Sequence, residues 1–179
     1  MDSVSPSIYP NCPVITRIVS IGGLTKLELQ DELRRNAVSM NESAEQIFAS
    51  ERFTTSAAQH AVTTVELTVG DLGFAQGATS ADIRAKAEAL GLSLCPLELG
   101  PHLRLQYLDQ AEGYLGHPER RHQAPSGSIT IASEQLTADD EFPKGFYLRR
   151  IQGVLWLRGY RSGPDHIWAP DDHFIFRQA

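Results

Sequence analysis

The sequence predicts an α+β fold: a mostly antiparallel sheet of five or six strands, with helices from the N-terminal half packed on one face. Three observations predict it. Helical periodicity gathers in the first half, where Leu29, Leu33 and Ala37 recur at i, i+4 and i+8 behind a capping signal. Strand-like alternation governs most of the second half. The stretch Gly145–Arg161, GFYLRRIQGVLWLRGYR, reads as a β-hairpin about Gln152-Gly153. Helices early and strands late argue against a wound parallel sheet.

The chain has 179 residues, enough for one good core, and a net charge of −6. That charge disfavours general attraction to nucleic acid or to an anionic membrane. No apolar run approaches the roughly 20 residues of a membrane span. The start, MDSVSPSIYPNCPV, lacks the basic and apolar segments of a signal peptide. Cys12 and Cys95 stand far apart with no CxxC pair, which fits a reducing, cytoplasmic setting and inert thiols.

Residues 1–13 read as a flexible lead-in, rich in proline and small polar side chains. Val14 to Ile21 fits a short strand. Thr25 and Glu28 are spaced as a capping box, with Leu24 stapling onto Leu29, and the helix is expected to run to about Val38. Asn41 or Ser43 opens a second, shorter helix carrying Ile47 and Phe48. Residues 14–53 thus form a two-helix unit. A small, polar linker follows, and 61–179 form the α+β sheet domain, joined with 14–53 in one compact body. Val65, Leu67 and Val69 alternate with polar residues as in a half-buried strand. Thr79 and Asp82 open a helix that buries Ile83, Ala87 and Leu90 and stops at Gly91. Leu92 to Pro101 is read as an apolar loop, and His102 to Leu108 as a strand. A long polar connection follows over 113–126, then a strand with Ile129 and Ile131. Phe174-Ile175-Phe176 is expected to close the sheet.

In the hairpin, the turn sets Ile151 opposite Val154, Arg149 opposite Trp156 and Tyr147 opposite Arg158. One face then carries Phe146, Leu148, Leu155 and Leu157, as a core face should. The other carries Tyr147, Arg149, Trp156, Arg158 and Tyr160. Arginine presents a planar fork to carboxylate or phosphate and stacks on rings, so these five residues are the candidate binding surface. The plainer reading is that Arg149 lies over Trp156 and both simply cover the sheet. The expected partner is a protein or a small anionic ligand.

Other chemistry has weaker support. His117 and His122 share the 113–126 connection, and Asp165, His166, Asp171, Asp172 and His173 gather near the end. They match no metal motif, so no metal and no cofactor is expected. Cys95 and His102 could pair only through a contact that spacing does not define. The alternative reading is a small enzyme with a pocket around 92–108 and the 113–126 connection. No GxSxG, GxGxxG or GxxxxGK[ST] is present.

LTKLEL and the helix after it resemble the SAP-type DNA-binding helix pair over about 25 residues. Their mixed charges oppose that role, and a capping helical hairpin is the simpler reading. Over most of residues 20–176 the chain resembles a family of short, uncharacterised bacterial proteins. The segments IGGLTKLELQDEL, ERFTTS, ADIRAKAEALGLSLCPLELGPHLRLQYLD and FPKGFYLRRIQGVLWLRGY carry the resemblance. Some of that family bear the label helicase, which implies association with nucleic-acid proteins. A helicase motor needs a phosphate-cradling loop that this chain lacks, and the resemblance transfers no catalytic residue.

Overall fold

The capping box forms as its spacing requires. Thr25 accepts from the Glu28 backbone N–H at 3.1 Å, and the Glu28 carboxylate accepts from Thr25 N at 3.3 Å. The computed structural model describes residues 7–113 and 124–179. In chain order the elements are β1 (Ile15–Ile21), α1 (Lys26–Arg35), β2 (Ser39–Met40), α2 (Glu42–Ala49), β3 (His60–Thr68), a 3₁₀ turn (Gly70–Leu72), β4 (Ala78–Thr79), α3 (Ser80–Ala89), β5 (Leu92–Ser93), α4 (Leu99–Gln106), β6 (Ile129–Ile131), β7 (Gly145–Ile151), β8 (Val154–Tyr160), β9 (Ile167–Trp168) and β10 (His173–Gln178).

The α+β class holds, but the sheet is larger and more mixed than the sequence predicts. It runs β1-β3-β10-β6-β7-β8-β2, with β5 added on β10, and β4 pairs with β9 apart from it. The β10–β6 and β2–β8 pairs are parallel and the others antiparallel. The correction comes mainly from β10. It does not close an edge but inserts between β3 and β6, in the middle of the sheet. Phe174, Ile175 and Phe176 are all buried, which demands cover on both faces.

Helices accordingly lie on both faces rather than one. Leu29 and Leu33 of α1, Ile47 and Phe48 of α2, and Leu99 and Leu103 of α4 join Phe146, Leu148, Leu157 and Ile175 in one core. On the other side, Ile83 and Ala87 of α3 join Val65, Leu67, Phe174 and Phe176 in a second. Helix α3 covers mainly the β3–β10 half, and among the described residues no helix lies over the rest of this face. The same two-sided cover explains why Thr64 and Glu66 of β3 are buried with their apolar neighbours, so β3 is not half-exposed.

Two local expectations fail for physical reasons. Helix α1 ends at Arg35, and Ala37 is exposed with φ 56°, so Val38 takes the buried place expected for Ala37. The segment read as a strand from His102 is helix α4. Pro101 is its third residue, where the backbone N–H would have no intrahelical partner and its loss is harmless. Among the described residues no helix is long and apolar enough to cross a membrane.

Candidate functional site

The hairpin forms in the register its sequence dictates. Gln152 and Gly153 both take positive φ, 50° and 76°, as a two-residue turn of this kind needs. Ile151 pairs with Val154, Arg149 with Trp156, and Tyr147 with Arg158. Phe146, Leu148 and Leu157 are buried in the first core, with Leu155 packed against it. Alternation therefore turns Tyr147, Arg149, Trp156, Arg158 and Tyr160 to the second face, where Tyr160 packs against the cluster that holds α3.

Helix α2 fixes where that face sits. Asn41 caps α2 by accepting from Ala44 N at 2.9 Å. Its amide also donates to Gly159 O at 3.0 Å, and its Oδ1 accepts from Gly159 N at 2.8 Å. Gly159 has to be glycine: a Cβ there would stand 2.6 Å from the Ser43 carbonyl carbon and 2.7 Å from Ala44 N. The helix start thus rests directly on the β8 backbone and clamps one face of the strand while leaving the other clear.

The arginine face is not the flat, open patch that an exposed hairpin suggests. Tyr147 is 9% and Arg149 8% exposed, while Trp156, Arg158 and Tyr160 are half-buried. The Arg158 guanidinium carbon lies 5.1 Å from the Trp156 ring centre and 5.8 Å from that of Tyr147. It is Arg158, rather than Arg149, that covers the tryptophan. The Nε atoms of Arg149 and Arg158 are both enclosed with no hydrogen-bond partner among the described residues. Among the described residues neither arginine forms an ion pair with a carboxylate. Burial holds the Arg149 guanidinium below its ordinary range, and the like charge of Arg158 pushes the same way. Arg150 Nε is likewise enclosed without a hydrogen bond but lies 3.2 Å from the Glu112 carboxylate, and Arg161 donates to Gln46 at 2.6 Å.

Beside this face lies a cleft of about 550 Å³. Tyr147 and Tyr160 belong to both. Ser128 and Thr130 from the β6 segment, Arg161 after β8, and His166 and Trp168 from the following loop and β9 also line it. Thr130 pairs with Tyr147, which pairs with Arg158, so one row crosses three strands from the cleft to the cations. The Tyr160 hydroxyl is pushed up to about 12 by burial, and burial raises that of Tyr147, so both are neutral donors near pH 7. Sequence reasoning missed Ser128, Thr130, His166 and Trp168 as site residues. The signal for Thr130 was present: between Ile129 and Ile131 its side chain must turn away from the first core.

The remaining candidates separate. Cys95 is buried, its Sγ is 3.7 Å from Ile175 O, and burial pushes its thiol up to about 12, which leaves no thiolate near pH 7. His102 uses Nε2 to accept from Gly22 N at 3.1 Å, and lies 4.0 Å from the buried Glu98, which itself accepts from Ser56 N at 3.1 Å. These bonds tie the Gly22 turn and the Ser56 segment to α4. Leu99–Gln106 is helix, while Leu94 to Glu98 line a second cleft of about 470 Å³ with residues 52–56 and 134–136. His117 and His122 lie outside the described residues. Of the C-terminal group, Asp172 closes a turn by accepting from Ala169 N, His166 abuts the Trp168 ring, and His173 pairs with Glu66.

That last pair makes a pH prediction. Glu66 accepts from Arg17 at 2.6 Å and from His173 Nδ1 at 3.0 Å. Burial alone would raise the Glu66 carboxyl, but the hydrogen bonds and charges of His173 and Arg17 outweigh it and the net shift is downward. The bond to Glu66 raises His173 against the opposing effect of its burial. A raised histidine stabilises fully below its ordinary value of 6.5 and loses that contribution as pH climbs through the higher folded value. A lowered carboxyl stabilises above its ordinary 4.5 and loses the contribution as pH falls. Urea unfolding of the protein and of His173→Asn should therefore differ most between pH 4.5 and 6.5 and converge at alkaline pH. A difference that grows above pH 7 would refute the assignment.

No family model matches the chain, and neither a curated protein nor a solved structure does.

Proposed function

We propose that this chain is a binding domain that recognises an anionic group, on a small ligand or on a partner, through Arg149 and Arg158. One observation carries the reading. Two guanidinium groups sit on one sheet face, and among the described residues their enclosed Nε atoms have no hydrogen-bond partner and no carboxylate neutralises them. Enclosed charge without a counter-charge is costly, and an incoming anion relieves that cost by accepting from both forks. The acidic chain gives no long-range attraction, so recognition depends on short contacts within this face.

The Nε–H signals of arginine report directly on such contacts. Titration with inorganic phosphate should move the Arg149 and Arg158 Nε–H resonances together. Arg149→Lys keeps the charge and loses the fork, and should weaken binding by about 2 kcal/mol while leaving the fold intact. If both signals stay still while phosphate rises through the millimolar range, the reading fails.

A further inference from the structure

The cleft beside the arginines carries more than the charge reading alone. Its floor carries hydroxyl groups. Ser128 is 6%, Thr130 4% and Tyr147 9% exposed, and all three side chains line the cleft. A few polar groups converging on one cavity between apolar walls suit a small-molecule site. The walls are aromatic and fixed. The Trp168 indole donates to Ser80 at 2.9 Å, and its ring meets those of Tyr160, His166 and Phe174 edge-on at 4.9–5.9 Å. Rigid rings present flat apolar surface to the C–H face of a sugar, while hydroxyls of either polarity serve its OH groups.

Resting on the anion-binding reading, we infer that cleft and arginines form one composite site for a phosphorylated monosaccharide, free or as part of a mononucleotide. The phosphate meets Arg149 and Arg158, and the sugar lies over Thr130 and Tyr147 with Trp168 as its wall. Size agrees, because about 550 Å³ falls within the usual small-molecule range of about 300–1,000 Å³. Geometry agrees, because Tyr147 lines the cleft and the Arg158 guanidinium carbon lies 5.8 Å from its ring centre. Charge agrees as well. A chain at −6 repels a long polyanion but can hold one or two phosphate charges at a local cationic pair.

Calorimetry of the full chain with ribose 5-phosphate, AMP, ribose and inorganic phosphate tests this. Ribose 5-phosphate should bind about tenfold or more tightly than inorganic phosphate, as expected for two or more added hydrogen bonds. Ribose alone should bind more weakly than either. AMP binding tighter than ribose 5-phosphate assigns the sugar to a nucleotide, and equal or weaker binding assigns it to a free sugar phosphate. Thr130→Val keeps shape and removes one hydroxyl, so it should weaken ribose 5-phosphate severalfold and leave inorganic phosphate unchanged. Ser128→Ala repeats the test at the other side of the floor if Thr130→Val does not fold. Ribose 5-phosphate binding no tighter than phosphate, with the arginine signals still responding, overturns the sugar site and spares the anion reading. Silence of those signals toward every probe overturns both.

Discussion

Replacing Phe146 by alanine should cost about 3–5 kcal/mol of unfolding free energy, read from the urea midpoint at unchanged slope. The ring is 1% exposed and lies at the centre of the first core. Phe48 of α2 stands 5.7 Å away and Phe53 6.1 Å away, centre to centre, and those two rings meet edge-on at 5.3 Å. Helix α4 is bare where it crosses the ring, because a Cβ on Gly100 would fall 2.7 Å from Phe146 Cδ2. Truncation therefore leaves a void that neither the helix nor the two remaining rings can close without moving the backbone. Leu155 on the same strand pair is only partly buried, so Leu155→Ala should cost clearly less. A loss under about 0.5 kcal/mol at Phe146, the range of surface changes, would mean that the hairpin turns its other face to the core.

The hairpin and the three cap sites were legible because their determinants are local. Gln152-Gly153 sets the turn, the turn sets the register, and the register assigns both faces. Thr25, Asn41 and Thr79 each serve an N–H three residues on, and each does so in the fold. Helix α4 was not legible. It is buried nearly all round, so it has no polar stripe to reveal a 3.6-residue period, and Leu103, Leu105 and Tyr107 imitate alternation instead. Nor was the place of β10, since the strand that pairs with Phe174–Phe176 is chosen by contacts more than 100 residues apart, His173 with Thr68 among them. The arginine face could be read for the same local reasons as the hairpin. The cleft beside it could not, because its far wall arrives from Trp168 and His166 across a different loop.

Arg104 marks the limit of such reading most clearly, and it is where a single substitution should do the most damage. It is the largest of the fully buried side chains, 0% exposed, and no acid lies beside it in sequence. Its partners are oxygens of uncharged groups. Nη1 donates to Gln110 Oε1 at 2.6 Å and to Trp156 O at 3.3 Å, and Nη2 donates to Tyr107 O. Gln110 passes the connection on through its own amide, to Gly127 O at 3.0 Å and Leu148 O at 3.2 Å. One guanidinium thus ties the end of α4 to β8 and, through Gln110, to β7. Burial lowers it to about 10, so it keeps its charge at neutral pH, and bonds from a charged donor are worth more than neutral ones. Arg104→Ala removes these bonds, strands acceptors that water cannot reach, and opens a cavity. Together these should cost about 3–5 kcal/mol or prevent folding. Arg104→Met separates the causes, since it refills most of the volume and restores no donor. It should recover only part of the loss if the hydrogen bonds matter. Arg104→Lys keeps the charge, but one ammonium cannot reach three oxygens set around a planar fork, so it too should fall short. A methionine variant within about 0.5 kcal/mol of the original would show that Arg104 acts by filling space and that the three acceptors find other donors.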